Sequence, residues 1–408
     1  MMLLAILAVL IFAYSLASRR LDETAITGPM AFTVAGIAVG SVAPAEVAAG
    51  INSKLVLHLA ETGLVLLLFT DAGRTDLSLL WNIRGLPARL LGIGLPLTIV
   101  AGAAAARLIF PGFPLWEGAI LAAVLAPTDA GLGQVIVNDP RAPAKIRQAL
   151  NVEAGLNDGL AVPFLLFFMA LAAADQEGAH ASLVQYIVEQ LGYGVAVGAG
   201  IGLAGGFLLG WAARRGWMSD ALKQAGVVAL PVLCIVASDA LAASMFIAAF
   251  VAGMAVQAGF RDVGMHSLEF GEIWGQVINL SVFFLFGLVI ARDWRNFSLE
   301  AVAYAILSLT VVRLVPVAIA MIGQRLGWPT ILFVGWFGPR GLASIVLGLV
   351  YLEQEIHLGN EPIFRMAATL TILLSIFAHG LSARPGVALY ARAIAGREQA
   401  AKENAKRP

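Results

Sequence analysis

Asn151-Val152-Glu153-Ala154-Gly155-Leu156-Asn157-Asp158-Gly159 sets two carboxylates and two carboxamides in a long apolar segment with no basic residue beside them. A carboxylate at the centre of a membrane helix costs roughly 2.5–3.5 kcal/mol on insertion scales, so such groups line cavities, pair with cations or carry protons. Pro127-Thr128-Asp129 lies a helix length upstream and repeats the pattern of polar groups inside apolar sequence. Together the two stretches point to an ion pathway through a bundle of membrane helices.

Composition agrees. Of 408 residues 60% are hydrophobic and 13% charged, and the mean hydropathy is +0.86. The apolar runs are about 17–25 residues long, enough to cross a ~30 Å hydrocarbon core as helices. About thirteen spans can be read, near 2–18, 28–43, 55–72, 86–106, 113–137, 145–173, 183–212, 221–240, 242–258, 268–291, 299–323, 329–352 and 363–383. Nothing positive precedes the first span and Arg19-Arg20 follows it, the reverse of a signal peptide. The N-terminus is therefore expected outside and the C-terminus in the cytoplasm. The basic residues fit: the outer side holds only Lys54, Arg107, Arg292, Arg295 and Arg365, Arg313 and Arg340 fall inside spans, and the others, including Arg84, Arg261, Lys406 and Arg407, fall on the cytoplasmic side. The one cysteine, Cys234, lies in an apolar run, which leaves neither a disulfide framework nor a thiolate metal site. Formal net charge is zero and implies no nucleic-acid partner. Residues 384–408 read as a short basic cytoplasmic tail behind a transmembrane domain over 1–383.

Two spans carry interruptions in their interiors, Ala126-Pro-Thr-Asp-Ala-Gly131 in the fifth and Gly335-Trp-Phe-Gly-Pro-Arg-Gly341 in the twelfth. Non-helical backbone at membrane depth is tolerated where it is buried in protein or lines a cavity. The breaks are seven spans apart, so they correspond if spans 1–6 and 8–13 are inverted repeats, a pattern that marks midplane sites in secondary transporters.

Asp158 is the first candidate for a group that exchanges a proton for a metal cation, since burial in low dielectric raises a carboxyl pKa toward neutrality; the plainer reading is a structural carboxylate capped by amides. Glu153 and Asn157 are four apart and share a helix face, whereas Asp158 is rotated about 140° from Glu153. Arg313, in Thr310-Val-Val-Arg-Leu-Val-Pro316, is the opposite charge available to Glu153 for a buried structural pair; the rival makes Glu153 a second proton site. Thr128 offers a hydroxyl, with freed carbonyls, as hard ligands for Na⁺ or K⁺. Asp129 either ligates the ion or neutralises the N-terminal dipole of the following half-helix, and Arg340 does the complementary job at the C-terminus of the opposing half-helix. Glu61 is a peripheral ligand or gate, or else a span-end carboxylate in interfacial water; His58 shares its face.

At Thr128-Asp129, Glu153-(4)-Asn157-Asp158, Arg313 and Gly338-Pro-Arg340-Gly341, the chain resembles monovalent cation:proton antiporters of the NhaP type, relatives of the animal sodium/proton exchangers. The resemblance covers essentially the whole chain. It implies an all-α integral membrane fold of thirteen helices with inverted repeats, like that of NhaA and NhaP. In that fold helices 1–3 and 7–10 form a dimerisation domain, and helices 4–6 and 11–13 form a core in which helices 5 and 12 unwind and cross. It implies a homodimer in the lipid bilayer, elevator-like alternating access and no cofactor, with Na⁺, Li⁺ or K⁺ and H⁺ as the transported species. By residue, it implies that Asp158 binds cation or proton with Asn157 as its partner, that Asn in that place goes with electroneutral exchange, that Glu153 and Arg313 form an ion pair, that Thr128 and Asp129 belong to the crossover segment, and that Glu61 matches an acid able to join the site. Ala154 departs from the pattern, since many relatives have a serine there whose hydroxyl can ligate the ion. Two alternatives stand beside this expectation: a channel-like K⁺ efflux pathway, and an intramembrane aspartyl enzyme using Asp129 with Asp158 as a proton-sharing dyad. The size of the chain and the lack of a eukaryotic-style tail point to a bacterial inner membrane.

Overall fold

The apolar runs fold as helices, and among the described residues every regular element is helical. The computed structural model describes residues 2–22, 24–42, 53–74, 85–137, 139–177, 185–186, 188–260, 269–353 and 359–405. Arg84, Arg261, Lys406 and Arg407 of the basic census, and the side chain of Lys54, lie outside the described residues. In chain order the helices are α1 (Met2–Asp22), α2 (Gly28–Val42), α3 (Ser53–Arg74), α4 (Leu86–Ile109), α5 (Leu115–Val124), α6 (Ala130–Val137), α7 (Ala144–Glu177), α8 (Val188–Arg214), α9 (Asp220–Ala240), α10 (Met245–Val256), α11 (Glu269–Asp293), α12 (Leu299–Ala320), α13 (Trp328–Trp336), α14 (Leu342–Glu353) and α15 (Glu361–Ala405). Eight of these are long and apolar enough to span a bilayer, and α2, α5, α10 and α14 are shorter apolar helices.

Local chemistry explains the irregularities. In α4 the helix widens to a π-turn over Leu90–Gly94, where Pro96 cannot donate to the carbonyl four residues back. The fifth and twelfth runs do not continue as single helices: α5 stops at Val124 and α6 begins at Ala130, while α13 stops at Trp336 and α14 begins at Leu342. Pro127 and Pro339 sit in these gaps, each without an N–H to continue a helix. α7 runs beside α3, α5 and α6, and α12 beside α4 and α13, so both lie next to the broken pair.

One tight contact comes from a repeat of small residues. Gly194, Gly198, Gly202, Gly206 and Gly210 recur every fourth residue along α8 and are all buried. They bring its backbone against α10, where a Cβ at Gly198, Gly202 or Gly206 would collide with the carbonyl oxygens of Ala248, Ala252 or Val256. Small-residue stripes of this kind let helices approach where apolar burial alone gives no drive to associate.

The last helix differs from the sequence expectation. The span read as 363–383 continues unbroken to Ala405, so most of the segment read as a tail is helix. Ala-rich sequence favours this. Val387 and Tyr390 form a stripe that packs back on the bundle: Tyr390 stacks on Phe333 with ring centroids 4.1 Å apart and donates to Thr330 Oγ1 at 3.1 Å.

Gly206→Val should lower the thermal midpoint of the detergent-purified protein, with a cost of ~1–3 kcal/mol from overpacking. Gly200→Val, on the open side of the same helix with nothing within 4 Å, should leave it unchanged. Equal midpoints for the two variants would show that the α8–α10 contact is not tight.

Candidate functional site

Each break exposes helix termini whose N–H and C=O groups have no intrahelical partner. In the gap between α5 and α6, Asp129 is buried and its carboxylate serves both broken helices. Oδ1 accepts from Leu132 N at 2.9 Å, in the first turn of α6, and Oδ2 accepts from Leu342 N at 2.9 Å, the first residue of α14. The backbone joins the same two segments, since Asp129 N donates to Pro339 O at 2.7 Å. One negative charge therefore faces two helix N-termini.

The carbonyl ends are answered by cations and dipoles. Arg340 is 0% exposed; its Nη1 donates to Ala126 O and, at 3.0 Å, to Pro127 O, beyond the C-terminus of α5. Its own N–H donates to Ser375 Oγ at 2.6 Å. Ser375 lies 3.0 Å from His379 Nδ1 on the next turn of α15, and His379 Nε2 donates to Trp336 O at 2.8 Å, the last residue of α13. The glycines around these residues are required for close approach: a Cβ at Gly338 would come 2.7 Å from Arg313 Nε and 3.1 Å from Thr128 Cγ2, and one at Gly341 would run into the Asp129 carboxylate.

α7 presents its polar residues to this junction on the two faces that its helical geometry dictates. Glu153 meets Arg313 in an ion pair of 2.5 Å, both side chains buried. One turn on, Asn157 Nδ2 donates to Thr128 Oγ1 at 2.6 Å. Asn157 Oδ1, Asp158 Oδ1 and, on α11, Asn279 Oδ1 are occluded oxygens without a hydrogen-bond partner among the described residues; Asn279 stands beside Gly131 at the start of α6. Asp158 has no ion pair among the described residues, and its electrostatic neighbours are the like-charged Asp129 and Asp71. A narrow cavity of about 20 Å³, room for about one water, leads along Leu150, Asn151 and Ala154 of α7 to Thr128 and Asp129. Ala154 is thus in the wall where a serine hydroxyl would reach the junction.

The structure brings together Thr128, Asp129, Glu153, Asn157, Asp158, Arg313 and Arg340. It does not bring Glu61 to them. Glu61 is on α3, ten residues from Asp71, about 15 Å of helix rise, and its neighbours are His58 and Glu353. The α3 acid at the junction is Asp71, whose Cβ lies 3.7 Å from where a Cβ on Gly155 would stand. His379 and Ser375 were also missed; the available signal is an i, i+4 polar pair in an otherwise apolar run.

A family model described as "Sodium/hydrogen exchanger, transmembrane" matches residues 6–388. The chain belongs to the sodium/hydrogen exchanger family. It is 26% identical over 308 residues to a Na(+)/H(+) antiporter of Schizosaccharomyces pombe, covering 67% of this chain and 65% of that one. It is 23% identical over 339 residues to the K(+)/H(+) antiporter NhaP of Alkalimonas amylolytica, covering 82% and 57%. The chain spans between about a fifth and two thirds of the length of the curated relatives it matches. In fold it resembles the sodium proton antiporter MjNhaP1 of Methanocaldococcus jannaschii, with a TM-score of 0.75 at 19% identity over 93% of this chain and 99% of that one. Family and fold are those of a multi-pass membrane transporter rather than an enzyme.

Arg313→Leu should cost ~3–5 kcal/mol by leaving Glu153 charged and buried, and Glu153→Leu with Arg313→Leu should recover most of that. Thermal unfolding of the purified variants measures both. A double variant no more stable than the single one would mean that the pair is not the partner Glu153 depends on.

Proposed function

We propose that this chain is a secondary-active antiporter that exchanges H⁺ for a monovalent cation, one for one, at a single carboxylate-centred site. The observation that carries the proposal is the set of occluded, unpartnered oxygens of Asp158 and Asn157 beside Thr128, at the meeting of two helix breaks and next to a narrow cavity. Buried charge elsewhere at the junction is matched: Glu153 by Arg313, Asp129 by helix N-termini, Arg340 by carbonyls. Asp158 is the group left to be neutralised, and either a proton or a metal ion does it.

Coupling follows from competition. With a bare carboxylate, moving the site through apolar surroundings is penalised by the cost of an unpaired buried charge; with either ion bound it is not. The aspect open to each side then alternates, and we assign that movement to an elevator-like shift of spans 4–6 and 11–13 of the thirteen read from the sequence, with their crossed breaks, against a dimerising scaffold of spans 1–3 and 7–10. The uncovered apolar face of α1 fits a surface shared with a second copy or with lipid. In this scheme Asn157 adds no charge, which keeps exchange electroneutral, and Thr128 supplies a hydroxyl oxygen to the cation. Asp129 holds the breaks in register, because both of its oxygens already accept backbone N–H groups. The same engagement argues against an Asp129–Asp158 proton-sharing dyad. The membrane is a bacterial inner membrane, with the N-terminus outside. Na⁺ and K⁺ are both candidates, since relatives with either ion in their names match this chain.

In proteoliposomes with a pH-sensitive dye, adding Na⁺, Li⁺ or K⁺ should move protons in the wild type and not in Asp158→Asn. Proton movement in Asp158→Asn equal to wild type would remove that carboxylate from the mechanism. Ala154→Ser should lower the apparent KM for the transported cation by about threefold to tenfold, as one more oxygen ligand worth ~1 kcal/mol would. An unchanged KM would place Ala154 outside the ion's coordination.

A further inference from the structure

Glu117 is a second carboxylate buried in apolar surroundings, at the far end of α5 from the break. It is 3% exposed and lies in the first turn of that helix, about 12 Å of helix rise from Leu125. Its Oε1 accepts from Asn360 Nδ2 at 3.2 Å. Its Oε2 is occluded and has no hydrogen-bond partner among the described residues.

Besides the Asn360 amide, the polar groups near it among the described residues carry oxygen. Tyr351, near the end of α14, is 2% exposed, and its hydroxyl too is occluded and without a hydrogen-bond partner among the described residues. The ring is held in place against Phe364, 4.2 Å between centroids. Glu361, the first residue of α15, lies within electrostatic reach of both Glu117 and Tyr351. No lysine or arginine pairs with Glu117 among the described residues; Arg365, one turn along α15, lines a separate cavity with Asp293 and Asn296.

A carboxylate oxygen withdrawn from water without a hydrogen bond or counter-charge costs several kcal/mol. The N-terminus of α5 favours the ionised form of Glu117. Carboxylate, phenol and amide oxygens are hard donors that suit alkali and alkaline-earth cations and not soft metals. We propose that Glu117, Tyr351 and Glu361 form a second cation site, at the ends of α5 and α14 remote from the breaks. That the ion is monovalent rests on the antiport reading, which makes the site a holding point at one mouth of the pathway; the oxygen set does not depend on it.

Crystals of the full chain soaked in Tl⁺ at alkaline pH test this directly by anomalous diffraction. Density is expected beside Glu117 Oε2 and Tyr351 Oη, separate from any density at Asp158. Glu117→Gln, which keeps the bond from Asn360, should abolish the first peak and leave the second, and Tyr351→Phe should weaken the first. A wild-type crystal with Tl⁺ at Asp158 and none at Glu117 would overturn the second site and leave the antiport reading standing. Density at Glu117 with none at Asp158 would do the opposite. A peak that survives Glu117→Gln would also overturn the assignment.

Discussion

Two helices that stop in the middle of an apolar layer leave N–H and C=O groups that no solvent can satisfy, and the Asp129 carboxylate answers one N-terminus of each at once. A neutral residue could supply an acceptor to one helix. Only a side chain with two equivalent oxygens and a full charge faces two positive helix ends symmetrically. Because Asp129 is on α6's side of the first gap and reaches the start of α14, it also sets the distance between the two broken helices. The Pro339 carbonyl and the Arg340 guanidinium repeat the tie from the other side. Polar backbone that would otherwise be a liability is thus consumed within the junction, and the junction can sit at membrane depth.

Asp158 stands out against this matched background. Its position follows from the helix period: residues four apart on α7 face Arg313 and Thr128 with Glu153 and Asn157, and the next residue turns by about 100° toward the side where Asp71 and Gly155 meet. A carboxylate there has like charges for neighbours and an unfilled oxygen. A site that holds a small cation and lets it go again needs this combination, since a carboxylate already paired with arginine would have its charge spent.

Much of this was legible in the chain. Span positions follow from apolar run lengths, the breaks from Pro127 and Pro339, and the Glu153–Arg313 contact from the scarcity of basic residues inside spans, where only Arg313 and Arg340 fall. What was not legible depends on which helix packs where. Asp71 carries no motif and drew no reading, whereas Glu61 on the same helix was read as a peripheral ligand or gate, or else a span-end carboxylate. Only the packing of α3 on α7 decides which of the two acids reaches the junction. Glu117 hid at the start of a span for the same reason, since its burial shows only once Asn360 is seen to hydrogen-bond to it. His379 and Ser375 carry no motif, and their meaning is the bare carbonyl of Trp336 above them. The continuation of α15 past residue 383 was visible in Val387 and Tyr390, but charge density in the segment outweighed that short stripe.

On the proposed alternating-access reading, the bundle needs one part that is stiff and one that moves as a body, and two kinds of contact match them. α8 meets α10 backbone to backbone along a glycine stripe, so close that a Cβ on Gly198, Gly202 or Gly206 would run into a carbonyl oxygen of the facing helix. At the broken helices the cohesion is electrostatic and internal to one cluster of helices: Asp129, Arg340, Ser375 and His379 tie α5, α6, α13, α14 and α15 to each other. Hydrogen bonds that close within a cluster do not hinder its displacement as a body, whereas bonds across a sliding seam would have to break with each cycle. A junction closed on itself keeps its geometry, and with it the spacing of the oxygens around Asp158, through any movement of the whole.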